Sequence, residues 1–173
     1  ASSAASDVYK RQLLYSAKIL DSIKNASKYG VFAESPSFDL SKIMSRKDKT
    51  VKMLTGGVKM TVNSYGVTIV EKEAFVEGEE NGLIRIVCDG EAYFVKYLLV
   101  CTGPDTVIPP IPGLAEVDYW TSKEALEIKE LPKTLVIIGG GVIGMEFASF
   151  FNSMGVKVHI VEMMPETVSY THL

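Results

Sequence analysis

The sequence has few cysteines, no long apolar run and no excess of positive charge. Its two cysteines, Cys88 and Cys101, do not form a disulfide framework, so a reducing cytosol (a cytoplasmic location) is the expectation. No apolar stretch approaches the roughly 20 residues of a membrane span, and no signal peptide is recognisable. A net charge of −3 over 173 residues argues against a nucleic acid or an anionic membrane as a partner.

One stretch, Leu135–Glu162, carries most of the information. Leu135–Ile138 is a short continuous apolar run, which predicts a strand buried on both faces. It leads into Gly139, Gly141 and Gly144, which stand in G-x-G-x-x-G spacing. The first glycine allows the tight turn, the second lets a pyrophosphate approach the backbone, and the third lets the following helix pack closely on the strand.

A helix over Val142–Ser153, ended by Gly155, and a second strand over Val156–Val161 complete a β-α-β unit. Glu162 closes that strand, at the position where a carboxylate holds the ribose hydroxyls of NAD. The order of these features predicts a dinucleotide site, and the alternative is a Gly-rich turn that binds nothing. The predicted NAD contacts are Gly139, Gly140, Gly141, Val142, Ile143, Gly144, Glu146 and Glu162.

The two ends of the chain look foreign to the rest. One codon choice for Asp7–Gln12, read on the opposite strand, encodes the VSYTH sequence near the C-terminus, so both ends resemble a transposase element used in preparing sequencing libraries. We therefore interpret Ala1–Gln12 and Val168–Leu173 as translated adapter and expect them to pack against nothing. The alternative is a natural polar tail at each end. Residues 13–167 are then an internal fragment of a longer protein.

The first half of this fragment predicts helices. Leu13–Ser27 has one apolar stripe at helical spacing, formed by Leu13, Leu14, Ala17, Leu20 and Ile23. Asp39 or Ser41 can cap a second helix with an apolar face that includes Ile43 and Val51. A set of basic residues on that helix is expected to form a solvated face: Arg46, Lys47, Lys49 and Lys52.

From Gly66 the apolar period changes to two, which predicts strands. One strand is expected from Val67 to Val76, then a polar turn over residues 77–82, then strands over Leu83–Val87 and Ala92–Val100, joined by a turn at Asp89–Gly90. Residues 95–101 are apolar apart from Lys96, which favours a buried parallel strand, so Cys88 and Cys101 are expected to be core thiols.

A proline-rich segment separates the strands from the β-α-β unit. Residues 109–113, PPIPG, cannot be helical and predict a domain boundary. Thr121 and Glu124 fit a capping box that opens a short helix reaching Ile128. His159 alternates within the second strand of the unit and is expected to be a wall residue rather than a catalytic one.

These motifs, in this order and with these gaps, resemble the pyridine nucleotide–disulfide oxidoreductases, most closely the members that act on a lipoyl group. The carrying segments are the strand ending at Cys101-Thr102-Gly103, PPIPG, TSKEAL, LPKTLVIIGGGVIGMEFASFF and KVHIVE. The resemblance implies an α/β fold: a partial FAD domain of helices and a β-meander over residues 13–113, joined to the first β-α-β of a Rossmann NAD domain over residues 114–167.

The resemblance also assigns roles to single positions. Thr102, Gly103 and Pro104 match a turn against FAD, although Pro104 has no N–H to donate. Ala74 resembles a position whose backbone meets the FAD adenine. Glu146 matches a glutamate that pairs, near the flavin, with a lysine following the redox disulfide. Arg11 stands at that lysine's place.

By the resemblance, the parts that carry the chemistry lie outside the fragment. The redox-active cysteine pair and the first FAD element are expected before Leu13, and a catalytic histidine in a C-terminal domain is expected after Thr167. The implied parent is an enzyme that moves electrons between a lipoyl dithiol and NAD(H) through FAD. It is expected to form a homodimer and to act on a lipoyl-carrying subunit of a dehydrogenase or glycine-cleavage complex.

Several alternatives remain open. The parent can be another member of the family, such as a mercuric reductase, an NADH oxidase or a transhydrogenase. The 173-residue chain can be a dinucleotide-binding module without turnover, which we favour for the literal polypeptide. A dinucleotide-sensing regulator would need a nucleic-acid or partner surface, for which the sequence offers no sign.

Overall fold

The structure is a computed structural model, and it describes residues 3–103 and 105–167, with side chains from residue 7 onward. The chain is of the α/β class and divides into two compact units, residues 1–53 with 104–173, and residues 54–103. The described residues form four α-helices: α1 (Ser3–Lys24), α2 (Leu40–Ser64), α3 (Ser122–Ala125) and α4 (Val142–Ser153). The same residues form five strands: β1 (Ala74–Glu80), β2 (Leu83–Cys88), β3 (Glu91–Val95), β4 (Thr134–Ile138) and β5 (Lys157–Val161). Short 3₁₀ turns lie at Ala26–Tyr29 and Leu114–Glu116.

The first unit is built on the predicted β-α-β unit. Strands β4 and β5 pair in parallel, from Thr134 opposite Lys157 to Ile138 opposite Val161. Helix α4 crosses between them, and Gly155, at φ +87°, turns the chain out of α4, as the sequence predicted. The core lies between α1, α4 and the segment before β4; its buried apolar members are Leu13, Ala17, Leu20, Ala125, Leu126, Ile128, Phe147, Phe150, Phe151, Met154 and Val156.

Polar contacts also hold the C-terminal ends of α1 and α4 together. Lys24 Nζ donates a hydrogen bond to the Ser153 carbonyl oxygen at 2.7 Å, and Ser153 Oγ donates to Asp21 Oδ2 at 2.5 Å. A cation beside the last carbonyls of a helix is also favourable for the helix dipole. The two helices are therefore joined by apolar contacts along their length and by hydrogen bonds at one end.

Helix α1 begins much earlier than predicted, and the expectation that residues 1–12 pack against nothing is wrong for the described part. Lys10 is buried and Tyr9 packs against the core. Both lie three or four residues before Leu13, so a continued helix places them on the same apolar stripe. No glycine or proline interrupts α1. Residues 168–173, which were also interpreted as adapter and include Tyr170, lie outside the described residues.

Helix α2 begins as predicted, because Asp39 Oδ1 accepts hydrogen bonds from the Lys42 N–H at 3.1 Å and from Ser41 Oγ at 2.7 Å. The hydrogen bond from the Ser41 hydroxyl lowers the pKa of Asp39 most, and the hydrogen bond from the Lys42 N–H lowers it further. The predicted solvated face is wrong at one position: Lys47 is only 2% exposed. It lies four residues after Ile43 and four before Val51, and therefore on the buried stripe of the helix.

The second unit contains an antiparallel meander in the order β1-β2-β3. The two hairpin turns are Asn81–Gly82 and Asp89–Gly90. Both residues of each turn have positive φ, which lets a two-residue turn match the right-handed twist of its strands. The first strand was predicted over Val67–Val76, but β1 starts only at Ala74 and continues through most of the expected polar turn. A register shift at Gly78 (φ +131°) accompanies this extension.

The predicted buried strand over residues 95–101 is also wrong, because β3 ends at Val95. Leu99 and Val100 are exposed, and so is Cys101, whereas Cys88 is buried as expected. A continuously apolar strand needs neighbouring strands and cover on both faces. Within the described residues, no strand pairs with this segment.

The same explanation applies to β4. Leu135 and Ile137 face the core, while Val136 and Ile138 are more than half exposed, so the strand is buried on one face rather than two. His159 in β5 is exposed rather than a buried wall residue. Among the described residues, no helix is long and apolar enough to cross a membrane.

Phe151 offers a test of the first unit's core. Its ring is fully buried and contacts the rings of Phe147, Phe150 and Trp120, with centroids 5.2–6.4 Å apart. Phe151→Ala should lower the free energy of unfolding by about 3–5 kcal/mol through lost burial and a cavity. The exposed Phe32 is the control, and Phe32→Ala should change little; equal effects in denaturant titration would contradict this core.

Candidate functional site

The candidate site is the glycine-rich loop between β4 and α4. Gly139 follows the strand directly and has φ +103°, a left-handed conformation that favours glycine and turns the chain toward the helix. The Gly139 N–H donates to the Val161 carbonyl oxygen at 2.9 Å, which ties the loop to the end of β5. Gly141 is the N-cap of α4 and makes no side-chain cap. The first-turn N–H groups of α4 have no intrahelical acceptors.

Gly144 is the point of closest approach between α4 and β4. A Cβ atom at this position would lie 2.2 Å from the Gly139 carbonyl oxygen and 3.3 Å from Ile137 Cγ2. Real Cβ atoms do not approach a backbone oxygen so closely, and neither backbone group can move away without opening the turn. The structural role predicted for the third glycine is thus present in the geometry.

Gly141 differs from Gly144 in a way that bears on ligand binding. A Cβ atom on Gly141 would meet nothing within 4 Å, and its φ of −70° suits any residue. Nothing in the described protein therefore requires glycine at this position. The open space beside it lies at a helix N-terminus, where an anion such as a phosphate is stabilised by free N–H groups.

The structure brings Glu162 to this loop from the end of β5. Its Oε2 accepts a hydrogen bond from the Gly140 N–H at 2.6 Å, and its Oε1 accepts one from the Met164 N–H at 2.8 Å. These hydrogen bonds, first from Met164 and then from Gly140, lower the pKa of Glu162 because they stabilise the carboxylate. Two carboxylate oxygens offer about four acceptor directions, so capacity for ribose hydroxyls remains.

Residues after Glu162 fold back over the loop. A Cβ built on Gly140 would lie 2.8 Å from Thr167 Cγ2 and 3.2 Å from Glu162 Oε2. Sequence reasoning gave Thr167 no role, and no local pattern marks it. The contact is a product of how the chain turns beyond β5.

Glu146 lies one turn into α4 and faces α1 rather than the glycine loop. Its Oε2 is 2.6 Å from Lys10 Nζ, with the lysine side chain 8% and the glutamate side chain 25% exposed. Arg11, which stands at the family lysine's place, instead pairs with Asp7 on the exposed side of α1. Lys10 was not predicted, although its spacing three residues before Leu13 would have placed it on the buried stripe.

The positions expected to face FAD lie in the second unit, apart from Pro104, which is outside the described residues. Ala74 pairs with Cys88 at the start of β1. Thr102 and Gly103 are exposed and follow β3 outside any strand, with Gly103 at φ +72°. The assignment of these positions to FAD stays a prediction. Among the described residues, no group of three His, Cys, Asp or Glu side chains could hold a metal ion.

Comparisons with known proteins agree with the motif reading. The sequence profile of the pyridine nucleotide-disulphide oxidoreductase family matches residues 5–172. Dihydrolipoyl dehydrogenase of Acholeplasma laidlawii is 42% identical over 159 residues, which is 89% of this chain and 46% of that protein. The dihydrolipoyl dehydrogenase of Chlorobaculum tepidum is 36% identical over 160 residues, 90% of this chain and 33% of that protein. The chain thus spans about a third to a half of these curated relatives.

Solved structures show the same architecture. The HOCl-induced flavoprotein disulfide reductase RclA of Escherichia coli superposes with a TM-score of 0.73 at 26% identity, covering 94% of this chain and 33% of that one. LpdA of Mycobacterium tuberculosis has a TM-score of 0.77 at 21% identity, covering 92% of this chain and 36% of that one. The second likeness concerns the fold alone.

The two glycines make a matched pair of substitutions. Gly144→Ala should lower the free energy of unfolding by about 3 kcal/mol without any ligand, because its Cβ meets backbone. Gly141→Ala should leave the ligand-free stability nearly unchanged, because its Cβ meets nothing. Chemical denaturation of both variants measures this difference, and a Gly144→Ala protein as stable as the wild type would contradict the packing described.

Proposed function

Because the chain belongs to the pyridine nucleotide-disulphide oxidoreductase family, we propose that it is the dinucleotide-binding portion of a flavin-dependent dihydrolipoyl dehydrogenase. The parent enzyme would move electrons between a lipoyl dithiol and NAD(H) through FAD. The observation that carries the proposal is the glycine loop of residues 139–144 with the Glu162 carboxylate bonded to the Gly140 amide. The similarity to dihydrolipoyl dehydrogenases supports the proposed reaction, and this geometry supports the proposed binding role.

In this proposal each part of the site has one task. The N–H groups at the start of α4 would bind the pyrophosphate, and the missing Cβ of Gly141 would let it approach the backbone. Glu162 would accept hydrogen bonds from the adenosine ribose. The nicotinamide supplies hydride chemistry when bound, while the protein supplies position and electrostatics. FAD would be held in the parent by Ala74 and the turn at Thr102–Gly103 together with residues outside this chain.

A second candidate applies to the 173-residue chain itself. Cys88 and Cys101 are both free thiols, one buried in β2 and the other exposed after β3. Their spacing is not that of a redox-active pair, so among the described residues no dithiol is available for exchange with a lipoyl group. This supports a dinucleotide-binding module without turnover for the literal chain. A lipoyl-carrying partner subunit, a homodimer and a cytoplasmic location are proposed for the parent only.

We expect the purified chain not to reduce lipoamide. Incubation with FAD, NADH and lipoamide should produce no dithiol above the rate seen without protein. The assay is thiol formation detected with a chromogenic disulfide, with an intact dihydrolipoyl dehydrogenase as positive control. Turnover that depends on the chain would contradict this expectation and would require a redox centre among its own residues.

We expect binding of NADH in preference to NADPH. A 2′-phosphate would bring about two negative charges beside the Glu162 carboxylate, and the following Met163, Met164 and Pro165 supply no cation. NADPH should therefore bind at least about tenfold more weakly, and Glu162→Ala should reduce that difference. Glu166→Ala, which removes an exposed carboxylate nearby, is the control for charge alone. Equal affinity of the wild type for both nucleotides, measured by calorimetry, would refute the assignment of Glu162.

The pH dependence follows from the lowered pKa of Glu162. A carboxyl group whose pKa is lowered in the folded protein makes its full stabilising contribution above its unfolded pKa. That contribution is lost as the pH falls through the folded pKa, where the carboxylate becomes protonated. NADH affinity should therefore be flat between about pH 6 and pH 8 and should fall only in the acid range. A transition near neutral pH would show that another group controls binding.

A further inference from the structure

Lys47 is an uncommon residue for a buried position and has no part in the site described above. It is among the largest fully buried side chains, at 2% exposure. Its Nζ donates a hydrogen bond to the Leu126 carbonyl oxygen at 2.5 Å and lies 2.9 Å from Asp48 Oδ1. It also lies 5.2 Å from the ring centroid of Tyr9. The buried ammonium group thus has a hydrogen bond, an ion pair and an aromatic face close to it, so its charge is compensated as a buried lysine requires.

We infer that Lys47 is a positioning residue: its ammonium group fixes the segment that enters β4, and thereby the placement of the glycine-rich loop that follows β4. The inference deepens the proposed function, on which its nucleotide-binding part rests. It begins at Leu126, the C-cap of α3 and itself a buried core residue. From Leu126 only seven residues lead to Thr134, where β4 starts.

The segment around α3 cannot hold its own conformation. Four residues make about one turn, and isolated helices of this length are not stable. Its N-terminal end is fixed by a capping box, in which Thr121 Oγ1 accepts from the Lys123 N–H and Glu124 Oε2 accepts from the Thr121 N–H. At its C-terminal end the carbonyl of Leu126 is bound by Lys47. The short helix is therefore held at both ends, by a local contact and by one from α2.

The lysine also reaches the other side of the site. Tyr9, whose ring faces the Lys47 ammonium, directly precedes Lys10, and Lys10 pairs with Glu146 on α4. Lys47 is thus placed between the segment entering β4 and the start of α1, which contacts α4. A purely stabilising lysine would support the fold as a whole, whereas a positioning lysine should act first on the segment entering β4, whose Leu126 carbonyl it binds.

The test is Lys47→Met in the full chain, which keeps the apolar stem and removes the ammonium group. Lys49→Met, two residues along α2 at an exposed position, is the matched control. Hydrogen exchange should accelerate in residues 122–133 but not in β2 and β3. NADH affinity should fall by about tenfold, because a less ordered segment loses more conformational entropy when NADH binds. Uniformly faster exchange, or unchanged affinity with an intact fold, would overturn the inference.

Thr121→Val provides a second, independent perturbation of the same helix. It removes the capping hydroxyl at the exposed end of α3, and its effect on NADH affinity should be non-additive with that of Lys47→Met because both act through one segment. Additive effects would contradict the inference. If Lys47→Met does not fold, Thr121→Val alone decides, since unchanged NADH affinity in that variant excludes a role for the segment.

The exchange experiment separates this inference from the proposed function. Wild-type protein that binds no NADH would refute the proposed function. The Lys47 inference would then stand or fall by hydrogen exchange: acceleration confined to residues 122–133 supports it, and no local acceleration overturns it.

Discussion

The first unit depends on one close approach, that of Gly144 in α4 to the carbonyl oxygen of Gly139 at the end of β4. Any side chain at Gly144 would collide with this oxygen at 2.2 Å. The approach sets how α4 lies across β4 and β5, and so determines which helix residues become core. Phe147, Phe150 and Phe151 are buried behind it. It also turns the N-terminus of α4 toward open space at Gly141, and the candidate nucleotide site and the aromatic core therefore follow from the same contact.

The carboxylate of Glu162 depends on that geometry as well. Its contacts with the Gly140 and Met164 amides join the glycine loop to the chain beyond β5. These amides hold the carboxylate ionised and oriented in a protein without ligand. A preorganised acceptor loses less freedom when a ribose binds, which favours affinity as well as selectivity.

Two lysines show how far a linear pattern is changed by packing. Lys47 and Lys10 belong to helices whose basic residues are otherwise exposed, yet both are buried with partners from distant parts of the sequence. Their positions could have been derived from helical spacing, because Lys47 lies in line with Ile43 and Val51, and Lys10 with Leu13 and Ala17. The residue type of these two lysines suggests exposure, whereas their helical spacing from buried apolar residues indicates the burial that the structure has.

The sequence by itself determined the β-α-β unit, the bounds of α4, the capping box at Thr121 and the hairpin turn at Asp89–Gly90. Each is governed by local chemistry: glycine conformations, caps and short apolar runs. The family also followed from motif order, and the family comparison confirmed it. Tertiary structure alone decided which apolar segments are covered. Residues 96–101 and the outer face of β4 have the pattern of buried strands, but burial needs neighbouring elements that the described residues do not provide. Likewise, the partner of Glu146 and the contact of Thr167 with the glycine loop arise only when distant segments meet.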